Sequence, residues 1–165
     1  MRWSQLKKRI EDNFATSVRG RAELFQTCYR RSFDEFDETW LVIDGKRRFS
    51  WGDMGAFQAE GARNFAARRK DLTASERKWL LKDALSERGI EFRWSIHVLL
   101  LRYLSLPIEL GLKDRSPIIR GIAVLDRRCG KRRLLSMKTS DEHPFVQAMV
   151  DFRCAADGIR PLTGQ

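Results

Sequence analysis

The chain has 165 residues, with 32 basic against 22 acidic side chains and a formal charge of +10. At 42% hydrophobic and 33% charged it is too apolar for a disordered tail and too charged for a membrane-embedded bundle. Its longest strongly apolar run, Ile96 to Leu101, contains His97 and is followed by Arg102, far short of a membrane span.

The opening MRWSQLKKRIEDNF lacks the apolar core of a secretory signal, so a cytoplasmic setting without membrane contact is expected. Trp3, Leu6, Ile10 and Phe14 recur at helical spacing, with Ser4 as the expected cap. After Gly20, RAELFQTCYR alternates in the manner of a strand. Asp34 to Glu38 concentrates four acids and reads as a solvated loop. Trp40–Ile43 and Lys46–Trp51 flank Asp44-Gly45, a pair suited to the positive φ angles of a two-residue hairpin turn. Three antiparallel strands in a meander follow from these runs.

Asp53 to Leu72 reads as a helix carrying Arg63, Arg68, Arg69 and Lys70. Thr73 with Glu76 forms a capping box for a second helix that ends at Gly89. Glu91 to Leu106 is apolar on most sides, which predicts the most buried helix, with His97 as a satisfied interior histidine. IELGLKD reads as a short helical turn. Ser116-Pro117 supplies an N-cap and first helical residue; Ile118, Ile122, Leu125 and Cys129 share a face, and Gly130 is the expected left-handed terminator. Leu134 to Glu142 reads as a loop. His143-Pro144 starts a last helix with Phe145, Met149, Phe152 and Ala156 on one face, Val146 and Val150 beside it, and Gly158 closing it. The sum is one α+β domain over residues 1–160, a meander of about three strands against about five helices, with a frayed tail at 161–165.

Chemistry is sparse. Cys28, Cys129 and Cys154 are odd in number with no C-x-x-C, and two histidines do not complete a zinc site, so no metal or cofactor is expected. Gly130-Lys131 is not a phosphate loop, because Leu125 and Arg132 stand where that motif needs Gly and Ser/Thr. Asp44-Gly45-Lys46 with Glu23 matches a fragment of metal-dependent nucleases, although a hairpin tip is a poor place to converge ligands.

The clearest signal is charge. Arg127, Arg128, Lys131, Arg132 and Arg133 crowd seven positions, more than a helix C-terminus needs for its dipole. The favoured expectation is a non-catalytic accessory protein whose arginines and lysine contact phosphates of DNA, RNA or another polyanion. Arg63, Arg68, Arg69 and Lys70 are secondary candidates. That expectation requires the cluster to protrude as one surface, not neutralised by the acids of Asp34–Glu38. The alternative is an adaptor that binds a protein partner or a second copy; a nuclease using Glu23, Asp44 and Lys46 ranks third.

The segments WSQLK, SVRGRAEL, IDGK, SPIIRGIAVLDRRCGKRRL, HPFV and FRCAADGI together resemble a small uncharacterised bacterial protein family over nearly the whole length. LDRRCGKRRL is the most specific of them. The resemblance implies a bacterial or mobile-element origin, compatible with an adaptor in a defence system, and carries over no catalytic residues.

Overall fold

The computed structural model of the protein describes residues 1–28, 37–52 and 93–159. Along these the order is α1 (Trp3–Asn13), β1 (Ala22–Cys28), β2 (Asp37–Ile43), β3 (Lys46–Gly52), α2 (Arg93–Ser105), α3 (Ile108–Gly111), α4 (Pro117–Leu125), α5 (Lys131–Ser136) and α6 (Pro144–Ala156). The architecture is α+β, with a three-stranded antiparallel sheet in the order β1-β2-β3 and six helices among the described residues. The helices expected over 53–72 and 73–89, and the tail at 161–165, lie outside the described residues.

Helix α1 buries Leu6 and Ile10, and Phe14 at its end is fully enclosed; Trp3 is only half-buried. Ser4 is not its cap. The helix starts two residues earlier than that reading allows, Arg2 is the N-cap, and Gln5 Oε1 accepts the Arg2 backbone N–H at 3.4 Å. Packed along β1, α1 sends Glu11 to the strand, where Oε1 accepts the Leu24 N–H at 2.7 Å and the Lys7 ammonium at 2.8 Å.

The sheet follows its alternation. Leu24, Leu41, Ile43 and Trp51 face the core. Phe25 and Trp40 pair across β1 and β2 on the other face with stacked rings 5.8 Å apart. Asp44 (φ 49) and Gly45 (φ 73) form the hairpin tip in the left-handed region, as the Asp-Gly pair demands. Between Leu41 and Val42 the pairing slips: Val42 faces Arg47 while Leu41 faces Phe49. The extra residue, Arg48, reverses the parity of β3, so that Arg47 lies over the outward Trp40 while Phe49 and Trp51 point inward. Asp37 and Glu38, expected in a loop, belong to β2.

The inward rings meet α6. Phe145 lies edge-on to Phe49 (4.9 Å) and Trp51 (5.1 Å), and Gly121 of α4 gives its ring room on the far side. Each such side chain removed from water contributes about 1.5–3 kcal/mol. Among the described residues the most enclosed helix is α4, with seven of nine residues buried, in place of the run at 91–106. In α2, Ile96, Leu100 and Tyr103 are buried but Val98 is 53% exposed. The difference arises from position: α4 touches α2, α3 and α6 together. His97 of α2 is half-buried beside the Trp3 ring, at 6.4 Å.

One further helix boundary and one buried face differ from the sequence reading. The segment expected to be a loop from Leu134 begins inside α5, because Leu134 anchors a short helix in the core. The buried stripe of α6 is Phe145, Val146, Met149, Val150, Arg153 and Cys154, rotated away from Phe152 and Ala156. Its ends are as expected. His143 Nδ1 accepts the Phe145 N–H at 3.1 Å, and Gly158 (φ 63) turns the chain so that Ile159 N–H reaches the Cys154 carbonyl at 2.8 Å. Among the described residues, no helix is long and apolar enough to cross a membrane.

Candidate nucleic-acid interface

The basic cluster hangs on a break in the chain at Asp126. Helix α4 stops at Leu125, and Asp126 turns extended (φ −66, ψ 139) to form an isolated antiparallel bridge with Phe14. Ala15 N–H donates to Leu125 O, and Arg127 N–H to Asn13 O, each at 2.9 Å. The Asp126 carboxylate is 0% exposed. It accepts the Tyr103 hydroxyl, the Arg128 backbone N–H at 2.7 Å and the Arg128 guanidinium, closest at 2.7 Å through Nη2. A buried carboxylate is tolerable only with such a full set of donors.

The carbonyls at the same break turn toward Arg153. Its Nη1 donates to Val124, Leu125 and Asp126 oxygens at 3.3, 3.1 and 3.2 Å, and its Nη2 to Cys129 O at 3.4 Å. Asp157 then balances the Arg153 charge at 2.9 Å. Thus one guanidinium from α6 satisfies the orphan carbonyls that end α4. Burial, reinforced by the Asp126 charge and hydrogen bond, pushes the Tyr103 hydroxyl far above the ordinary phenol range. The hydrogen bond to Asp126 raises Arg128 well above its usual value. Burial pushes the Asp157 carboxyl up, yet the Ser17 hydroxyl, the Arg153 guanidinium and the Lys131 charge outweigh it and leave it below the usual carboxylate range.

Gly130 therefore does not terminate α4 in a left-handed turn. It is extended (φ −76, ψ 166) and serves as the N-cap of α5, so Lys131, Arg132 and Arg133 open a helix instead of trailing one. At the other end of α4, Ser116 holds the N-cap position before Pro117, but its buried hydroxyl has no hydrogen-bond partner among the described residues. Asp114 Oδ1 instead accepts the Ser116 N–H at 2.8 Å.

The five clustered cations divide into three kinds. Arg128 is committed to Asp126 and also donates to Leu106 O at 3.2 Å. Arg133 is shared between the Arg128 carbonyl, at 3.0 Å, and the carboxylate of Glu109 on α3. Arg127, Lys131 and Arg132 are exposed and make no ion pair or side-chain hydrogen bond among the described residues. Among the described residues the acids paired with the cluster are Asp126, the lone acid of the same stretch, and Glu109 of α3; Asp34 and Glu35 lie outside the described residues. Arg63, Arg68, Arg69 and Lys70 lie outside the described residues.

Glu23, Asp44 and Lys46 do not share a position. Glu23 stands in the cross-strand row with Val42 and Arg47. Asp44, at the hairpin tip, accepts Arg21 Nε and Nη2 at 2.8 and 2.9 Å, bonds that hold its carboxyl below the usual range. Among the described residues no three His, Cys, Asp or Glu side chains gather as a cation site. Cys129 and Cys154 are buried free thiols.

Sequence reading missed Asp126, Tyr103 and Arg153 as the parts that shape this corner. One signal was available: Asp126 is the lone acid between Ser116 and Arg133, and it falls at the end of an apolar stripe.

The model of the SF0329 protein family matches residues 2–154, from the start of α1 through most of α6. The chain belongs to the SF0329 protein family. Its matched span includes Tyr103, Asp126, Arg128 and Arg153, while Asp157, the partner of Arg153, lies past its end. No curated protein and no solved structure matches the chain.

Proposed function

We propose that this SF0329 family member is a non-catalytic nucleic-acid-binding protein that grips the phosphate backbone with Arg127, Lys131 and Arg132. The observation that carries the reading is the exposure of these three cations on a corner whose backbone is fixed by the buried Asp126 carboxylate. A charge of +10 adds long-range attraction for any polyanion. Contacts of this kind position without reading bases, so binding is expected to be indifferent to sequence. Arg63, Arg68, Arg69 and Lys70 extend the same proposal to a second basic segment.

The test is the triple variant Arg127→Ala/Lys131→Ala/Arg132→Ala on a labelled mixed-sequence DNA duplex across a salt series. Loss of three phosphate contacts flattens the log–log salt slope by about 2.7 units. Equal slopes for variant and wild type refute the interface.

A second reading, a protein-binding adaptor, draws on Leu110 of α3 and Leu135 of α5, both exposed apolar side chains. A stoichiometric protein partner that persists through a high-salt wash, with nucleic acid absent, favours it.

A further inference from the structure

We propose that Glu109 is a built-in competitor for Arg133, so that the phosphate-binding corner carries its own brake. This rests on the nucleic-acid reading above and adds to it a residue that sets the affinity.

Arg133 is held from two sides. Its Nη1 donates to the backbone carbonyl of Arg128 at 3.0 Å, which fixes the plane of the guanidinium on the exposed corner. Its Nη2 donates to Glu109 Oε1, the one carboxylate that Arg133 contacts among the described residues. The two side chains of this pair are 45% and 56% exposed. An ion pair so open to water is screened and weak, so an incoming phosphate can replace the carboxylate at Nη2 without stranding a charge in the core.

Arg128 is the opposite case. Its partner Asp126 is 0% exposed, and withdrawing the guanidinium would leave a buried carboxylate short of donors. Exchange is therefore open to Arg133 and closed to Arg128. Arg133 is preoriented by a bond that phosphate does not disturb, and masked by one that phosphate can take over. Glu109, once displaced, still repels the same phosphates. It lowers affinity twice, by occupying a donor and by its own charge.

The experiment measures fluorescence anisotropy of a labelled mixed-sequence DNA duplex over a salt series with the full chain. The proteins are wild type, Glu109→Gln, Arg133→Ala, the Glu109→Gln/Arg133→Ala double variant, and Asp141→Asn. Asp141 is an exposed acid in the connection between α5 and α6, and its variant controls for the unit change in net charge. Glu109→Gln is expected to bind about two- to fivefold more tightly than Asp141→Asn, with a salt slope steeper by about one unit. In the Arg133→Ala background the slope gain should vanish. The proposal is overturned if Glu109→Gln matches Asp141→Asn, or if its gain persists in full without Arg133. Failure of the underlying interface looks different: wild type and the Arg127/Lys131/Arg132 triple variant then bind alike, or neither binds, and the brake falls with it.

Discussion

Gly121 of α4 lies directly under the ring of Phe145 on α6, so close that a Cβ there would stand 2.2 Å from the ring's Cε1. The absence of a side chain is what lets the two helices seat that ring between Phe49 and Trp51. The corner bearing Asp126 follows five residues later, just past the end of the same helix, so the fit at Gly121 also sets where the cations emerge.

Gly121→Ala should therefore destabilise the fold, against local propensity. Alanine is favoured over glycine inside a helix by about 1 kcal/mol, but overpacking a filled core costs about 1–3 kcal/mol, and Phe145 has rings on its other sides. A net loss of up to about 2 kcal/mol in urea unfolding is expected, reduced when Phe145→Leu is added. An unchanged or raised midpoint for Gly121→Ala would contradict this packing.

Asp126→Asn should be more severe. It takes the charged acceptor away from the Tyr103 hydroxyl and from Arg128, which is 38% exposed and can turn to water, so the cost is that of several hydrogen bonds to a charged group, about 1.5–3 kcal/mol each. Tyr103→Phe removes one bond to the charged group, at about 1.5–3 kcal/mol. Because both act on one network, the double variant should lose less than the sum. Additive losses in equilibrium unfolding would show that the two residues act independently.

How much of this could be read beforehand depends on the range of each cause. The hairpin tip was legible because Asp44 and Gly45 state their φ requirement locally. The same holds for α6, where His143-Pro144 and Gly158 mark both ends. The break after Leu125 was not legible. The apolar spacing runs on to Cys129, while the groups that stop the helix come from Tyr103 and Arg153, 23 and 27 residues from Asp126. The outward turn of Arg47 depends on a bulge at Arg48 that strict alternation does not contain. For the cation cluster, composition located the positive charge and its lone acid, Asp126, but not the pairings with Asp126 and Glu109 that divide it into committed, exchangeable and open members.

Alkaline pH should unfold the protein through Tyr103. Its folded value is raised far above that of an unfolded tyrosine, about 10. The native state thus keeps a proton that the unfolded chain releases. Stability from this group is complete below about pH 10 and declines as pH rises further. Tyr103→Phe should lack that part of the decline. Denaturant midpoints measured from neutral to strongly alkaline pH decide it: parallel curves for wild type and variant would rule this out.

The two described thiols should be inert in the folded protein. Burial pushes Cys129 up to about 11 and raises Cys154 as well, so little thiolate exists at neutral pH. Alkylation followed by peptide mapping should leave both unlabelled until denaturant is added. Rapid native labelling of either would show that the core around α4 and α6 opens readily.

Glu11 has a consequence for assembly. By accepting the Leu24 N–H while α1 lies along β1, it uses a donor that an added strand would need. A strand from another chain can pair past β1 at Leu24 only by displacing the Glu11 carboxylate from that donor.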